Sequence, residues 1–206
     1  MNYYISDLHI GHGNVICFDD RPFKDTDEMF NELVTRWNNV VTNKDTVYIL
    51  GDFIWYKENM WEDVVKQFNG HKVLVKGNHD VKNMSSGTRK LFDNVVDYCE
   101  TTDNGRRVIM CHYPILFYRA DYNPNVYMLY GHVHNTKEMD YLQQFRKVLV
   151  DNIMTTSSPL AQILHVGCME EYMDYTPRTL DEIIEGDKKK YLLQGEQTNG
   201  IDYQTE

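Results

Sequence analysis

The feature that most restricts the fold is a series of short apolar runs rich in β-branched and aromatic residues. They are "YYIS" at 3–6, "VYIL" at 47–50, "KVLV" at 72–75, "VIMC" at 108–111 and "VYMLY" at 126–130. Runs this short, bounded by turn residues, have the composition of strands buried on both faces. Between the first two, Met29, Leu33, Trp37 and Val40 recur at helical spacing, and Asp25 with Glu28 makes a capping box at the start. "ENMWEDVVKQF" at 58–68 predicts a second helix, and "TKEMDYLQQFRKVLVDNIM" at 136–154 a third with Met139, Leu142, Phe145 and Leu149 on one side. A late strand is expected at 163–169 and a helix at 179–193. Alternating strands and helices point to an α/β fold. At 206 residues and 42% hydrophobic, the chain supports one core, so we expect a single domain over 1–194 and a loose polar tail at 195–206.

Each of the five early strands is followed at once by residues that bind metals: "DLH", "GD", "GNHD", "H" and "GHVH". Five of the eight histidines, His9, His79, His112, His132 and His134, lie in those loops, where an α/β sheet builds its active site. Asp7 and His9 are two apart, as are His132 and His134, so in extended backbone each pair points to one side and can grip one ion. Adding Asp52, Asn78 and His112 gives seven ligands, one short of four for each of two ions. Asp52 is the natural bridge, because a carboxylate has two oxygens and can serve both. Imidazole, carboxylate and amide donors without thiolate suit Mn²⁺, with Fe or Zn²⁺ as alternatives, better than Ca²⁺.

Together, "DLH", "GD", "GNHD", "H" and "GHVH", in this order and each after a strand, resemble the calcineurin-like metallophosphoesterase superfamily. The resemblance spans residues 7–134, and "HGNVICFDDRPF" with "VGCMEEYMDYTPRTLDEI" is similar to a small bacterial and phage subgroup. It implies a two-layer β-sandwich flanked by helices, with a dinuclear metal site at the C-terminal ends of the strands. Mapped by motif, Asp7, His9, Asp52 and His134 would hold one divalent ion, and Asp52, Asn78, His112 and His132 the other. Protein Ser/Thr phosphatases of this superfamily continue the second motif with an acidic and a basic residue. Here it reads "GDFIWYKE", which argues against that branch. The intervals between anchors, 45, 26, 34 and 20 residues, leave no room for a cap domain, so loops 10–24, 53–60 and 113–125 are expected to choose the substrate.

The expected reaction is hydrolysis of a small phosphate ester by a metal-bridging hydroxide, with His79 as the acid that protonates the leaving alkoxide. Asp80 would orient or charge-stabilise His79, or fix the loop. His12, Arg21 and Arg119 are candidates for binding the phosphate; salt bridges are the competing reading for the two arginines and loop packing for His12. Trp55 and Tyr56 would stack on a base or pack beneath a loop. An open site with one proton donor favours a phosphodiester over a monoester, and a non-catalytic metal-binding module is the alternative from another class. A formal charge of −10 repels nucleic-acid backbone, so broad nucleic-acid binding is not expected. Four scattered cysteines without CxxC spacing and the absence of a signal or membrane-length apolar run fit a cytoplasmic protein with no membrane partner.

Overall fold

The computed structural model describes residues 1–151 and 162–198. Strands β1 (Asn2–Ile5), β2 (Thr46–Ile49), β3 (His71–Val75) and β4 (Asn94–Val96) form one parallel sheet in that order. Strands β5 (Cys99–Asp103), β6 (Arg106–Met110), β7 (Val126–Tyr130) and β8 (Ile163–His165) form the second, in which only β5 runs antiparallel to its neighbour. The helices are α1 (Gly13–Phe18), α2 (Thr26–Val40), α3 (Trp61–Val65), α4 (Ser86–Arg89), α5 (Lys137–Asp151) and α6 (Leu180–Thr198).

Side-chain alternation makes the second sheet one layer of a sandwich. Val108, Met110, Leu129 and Leu164 join the core shared with the first sheet, whereas Ile109, Met128, Tyr130 and Ile163 pack with Met139 and Leu142 of α5. The Tyr4 hydroxyl donates to Asp103 Oδ2 (2.9 Å) and the Tyr48 hydroxyl to Thr101 Oγ1 (3.2 Å), tying β1 and β2 to the edge strand β5. At one end the sheets meet directly: Ser6 N donates to the Val166 carbonyl and Cys168 N to the Ser6 carbonyl. This is the expected two-layer β-sandwich flanked by helices.

On α2, Met29, Leu33 and Trp37 are buried at the expected spacing. Its capping box is offset: Asp25 accepts from the backbone N of Asp27 and Glu28, but Glu28 reaches back to Lys24 N rather than to Asp25 N. The helix expected at 58–68 is a 3₁₀ turn, Glu58–Met60, followed by the short α3, and the strand expected at 163–169 ends at His165. Residues 152–154 of the third expected helix and 199–206 of the expected tail lie outside the described residues, while α6 continues to Thr198.

Candidate metal centre

Asp7 and His9 follow β1, Asp52 follows β2, Asn78 follows β3, His112 follows β6, and His132 and His134 follow β7. The backbone that delivers them is not the extended chain assumed from their spacing. Asp7, His9, Asp52, His132 and His134 have φ of 57°, 50°, 50°, 73° and 39°, in the left-handed region that costs a non-glycine residue about 1–2 kcal/mol. Backbone bonds between loops hold them there: Asp7 N donates to the Gly51 carbonyl (3.1 Å) and His9 N to the Asp52 carbonyl (2.9 Å).

Asp7, His9 and His134 offer ligand atoms within 4.8 Å of one another, and so do Asp7, Asp52 and His112. In the first group His9 Nε2 lies 3.3 Å from His134 Nε2 and 3.6 Å from Asp52 Oδ2, while His134 Nε2 is 3.5 Å from Asp7 Oδ1. In the second, His112 Nε2 is 3.5 Å from Asp52 Oδ2 and 3.0 Å from Asn78 Oδ1, and the His132 ring centre lies 5.1 Å from that of His112. His134 thus stands in the first group and His132 beside His112 of the second, so the idea that this pair grips one ion is corrected. Asp52 Oδ2 sits between the groups, whereas Oδ1 accepts from His79 N (2.9 Å). Of the two Asp52 oxygens, Oδ2 is the one near imidazoles on both sides, so it is the atom that would serve both ions.

The donor set fits divalent cations. His112 Nδ1 donates to the Leu50 carbonyl (2.8 Å) and His134 Nδ1 to Asp19 Oδ1 (2.8 Å), so in both rings Nε2 is the atom turned to the centre. Burial pushes His9 down to about 3, leaving a neutral imidazole, the form that binds a cation. Burial acts the same way on His134, but hydrogen bonds and charge from Asp19 and Asp7 outweigh it and hold that ring up at about 9. Burial raises Asp7, yet the bond to His134 and the nearby imidazoles outweigh it and keep its carboxyl well below the usual range. Glycine is required where carboxylates approach backbone: a Cβ on Gly77 would collide with Asp52 Oδ1, and one on Gly131 with Asp7 Oδ2.

The remaining candidates separate clearly. His79 is exposed and lines the site cavity of about 300 Å³ with His9, His132 and His134. Asp80 is buried, with Oδ2 accepting from Asp52 N (2.9 Å) and Gly77 N (2.8 Å) and Oδ1 from Phe53 N (3.1 Å). Its carboxylate joins two loops, so of its expected roles loop fixing is the one the geometry brings. His12 also lines the cavity and stacks on Trp55 with ring centres 3.8 Å apart, and Trp55 lies 4.8 Å from the His79 ring. One face of Trp55 is thus covered by His12, and Tyr56 packs against Gly11.

Arg21 is corrected as a phosphate clamp. It is buried beneath the site, donating through Nη1 to the Leu8 carbonyl (2.9 Å), through Nη2 to the Asp7 carbonyl (2.8 Å), and through Nε and Nη2 to Asp19 Oδ2. Arg119 is exposed and does not border the cavity. Asp19, which orients His134, went unrecognised, as did Ser6, whose hydroxyl donates to Asp7 Oδ2 (2.6 Å). "DDR" at 19–21 was the available signal for Asp19.

The model of the calcineurin-like phosphoesterase family matches residues 3–195. The chain belongs to the calcineurin-like phosphoesterase family. Protein MJ1445 of Methanocaldococcus jannaschii is 30% identical over 184 residues, covering 88% of each chain. Gene 66 protein of Mycobacterium phage D29 is 28% identical and covers 65% of this chain and 78% of its own. The crystal structure of AQ665 from Aquifex aeolicus superposes with a TM-score of 0.64 at 26% identity, covering 90% of this chain and 98% of that one. Calcineurin-like phosphoesterases use divalent metals in a dinuclear site, and the two convergent Asp/His groups give this family member the donors for one. Among the described residues, no helix is long and apolar enough to cross a membrane.

Proposed function

We propose that this protein is a dinuclear-metal phosphodiesterase acting on a small phosphate ester in the cytoplasm, with Mn²⁺ as the favoured metal. What carries the reading is the convergence of two Asp/His groups that share Asp7, beneath a cavity lined by His9, Asp52, His134 and the exposed imidazole of His79. Asp7, His9, Asp52 and His134 would hold one ion, and Asp52, Asn78, His112 and His132 the other. Such a pair supplies a lowered pKa for water and charge stabilisation for an in-line displacement. Asp52 Oδ2 lies between the groups, and the neutral ligand Asn78 adds no negative charge where an anionic phosphate must bind.

His79 protonates the departing alkoxide. Its backbone N is anchored to Asp52 Oδ1, which fixes the acid beside the centre while leaving its ring open to the cavity. Trp55 and His12 form a wall against that ring and limit where it can swing. Asp80 is a positioning residue that holds the loop carrying Asn78 and His79 against the loop carrying Asp52.

The test is a turnover screen of the Mn²⁺-reconstituted protein on p-nitrophenyl phosphate and bis-p-nitrophenyl phosphate. The diester is expected to be the better substrate. Bound metal with no turnover of either ester sinks the enzyme reading and leaves a metal-binding module; faster turnover of the monoester sinks the diester preference.

A further inference from the structure

A second cavity, of about 370 Å³, opens beside the metal centre. Its walls are Pro114, Leu116, Val133, Tyr141, Leu142 and Phe145, with Val133 and Leu142 buried as the floor and Leu116 and Tyr141 exposed at the edges. The two cavities are neighbours that share one lining side chain, His132. None of the six wall residues carries a charged group, and the one carboxyl among the lining residues belongs to Glu138. An apolar groove with an acidic rim, on a chain of formal charge −10, repels a second phosphate and accepts an uncharged apolar group.

His79 decides which part of a substrate the groove can take. It lines the metal cavity and does not border the groove. In an in-line displacement the leaving oxygen must face its acid, so the group cleaved off departs toward His79, while the ester that stays on phosphorus projects sideways. The groove on the far side of the shared His132 is the neighbouring space that could receive it. Tyr141 and Phe145 supply rings for a flat partner to pack on.

We propose that the groove past His132 is a specificity subsite for the retained ester of a phosphodiester, and that it takes an uncharged aromatic ring, either a nucleobase or a simple aryl group. This rests on the phosphodiesterase reading and gives the diester preference a cause, since a monoester has nothing to place there.

A substrate series with one leaving group, p-nitrophenolate, and a varied retained group tests it: methyl, phenyl and thymidyl p-nitrophenyl phosphates. With the leaving group constant, differences in kcat/KM report the retained group alone. The phenyl or thymidyl ester is expected to exceed the methyl ester by about tenfold or more, the scale of one well-filled apolar pocket, and their order tells a plain aryl site from a nucleobase site. Tyr141→Ala and Leu116→Ser, separately and together, should bring the aromatic-to-methyl ratio toward one. Both positions are exposed, and circular dichroism confirms that each variant is folded. Hydrolysis of the methyl ester with a ratio near one in the unaltered protein, or a ratio that survives both substitutions, overturns the subsite alone. No turnover of any ester overturns the phosphodiesterase reading and the subsite with it.

Discussion

Arg21 offers a sharp test, because two accounts of it predict opposite things. A guanidinium that clamps substrate acts only when substrate is present; a guanidinium that braces the site acts on the free protein. Arg21 is 5% exposed, donates four hydrogen bonds to Asp19, Leu8 and Asp7, and is paired with an Asp19 carboxylate whose side chain is 0% exposed. Arg21→Met keeps most of the apolar stem and removes the charge. It takes the guanidinium from the buried Asp19, which keeps only its contact with His134, and leaves the Leu8 carbonyl without this donor, while the Asp7 carbonyl keeps the Cys168 thiol. Removing one member of a buried pair costs about 3–5 kcal/mol, which for a domain of this size lowers Tm by roughly 6–20 °C. The assay is thermal and urea unfolding of metal-free protein, followed by calorimetric titration of Mn²⁺. We expect the stability loss without any metal or substrate, together with weaker Mn²⁺ binding, since Asp7 and His134 are both reached through this network. Unfolding within about 2 °C of the parent, with KM for the ester raised and metal affinity intact, would refute the bracing role and restore the clamp.

Three further outcomes follow from the same geometry. His79→Ala should retain both metal equivalents by elemental analysis yet lose about 10²-fold or more in kcat on esters with poor leaving groups; unchanged turnover of those esters removes His79 as the acid. Gly77→Ala places a methyl against the Asp52 carboxylate and backbone N, so Mn²⁺ binding measured by equilibrium dialysis should weaken at least tenfold, and parental affinity would contradict the close approach. Burial raises Glu170, but the bond and charge of His165 and the charge of Lys190 outweigh it and hold the carboxyl down at about 2, from an ordinary 4.5. A depressed folded-state value means that the stabilisation is complete above the unfolded value and is lost as pH falls from 4.5 toward 2. It amounts to up to about 3 kcal/mol, and urea titrations across that window should show a loss that Glu170→Gln no longer shows.

The residues that converge at the candidate centre were legible because few residue types bind a divalent ion and each stands directly after an apolar run. What the sequence concealed lies in tertiary placement. Nothing in "DDRPF" says that the Arg21 guanidinium reaches the carbonyls of Asp7 and Leu8, since those acceptors exist only once the first loop has turned through its left-handed residues. The extended-chain argument held for Asp7 and His9 but failed for His132 and His134, because none of the four has extended backbone and position modulo two decides the face only in a strand. Strand β5 escaped for another reason. "CETTD" is a polar edge strand without an apolar face, but Asn104-Gly105, with φ of 48° and 78°, is a strong hairpin signal and would have placed β5 and β6 together. The three-residue β4 carries too little pattern to distinguish from a loop.

The distribution of ligands between the sheets adds a mechanical consequence. Asp7, His9, Asp52 and Asn78 leave the ends of β1, β2 and β3, whereas His112, His132 and His134 leave β6 and β7. Each proposed ion therefore draws ligands from both layers of the sandwich, at the end where the sheets also share the Ser6 to Val166 and Cys168 to Ser6 backbone bonds. Cations bound there join the layers, and they also offset the mutual repulsion of Asp7 and Asp52. A cation that binds only the folded chain at a hundredfold excess over its Kd adds about 2.7 kcal/mol, so chelation should lower Tm by roughly 5–11 °C. A site confined to one sheet would give the same equilibrium shift but would leave the far layer untouched. Hydrogen exchange separates the cases: on chelation, amides at the ends of β6 and β7 should lose protection together with those of β1 and β2. Loss confined to the first sheet would show that the ions are not held between the layers.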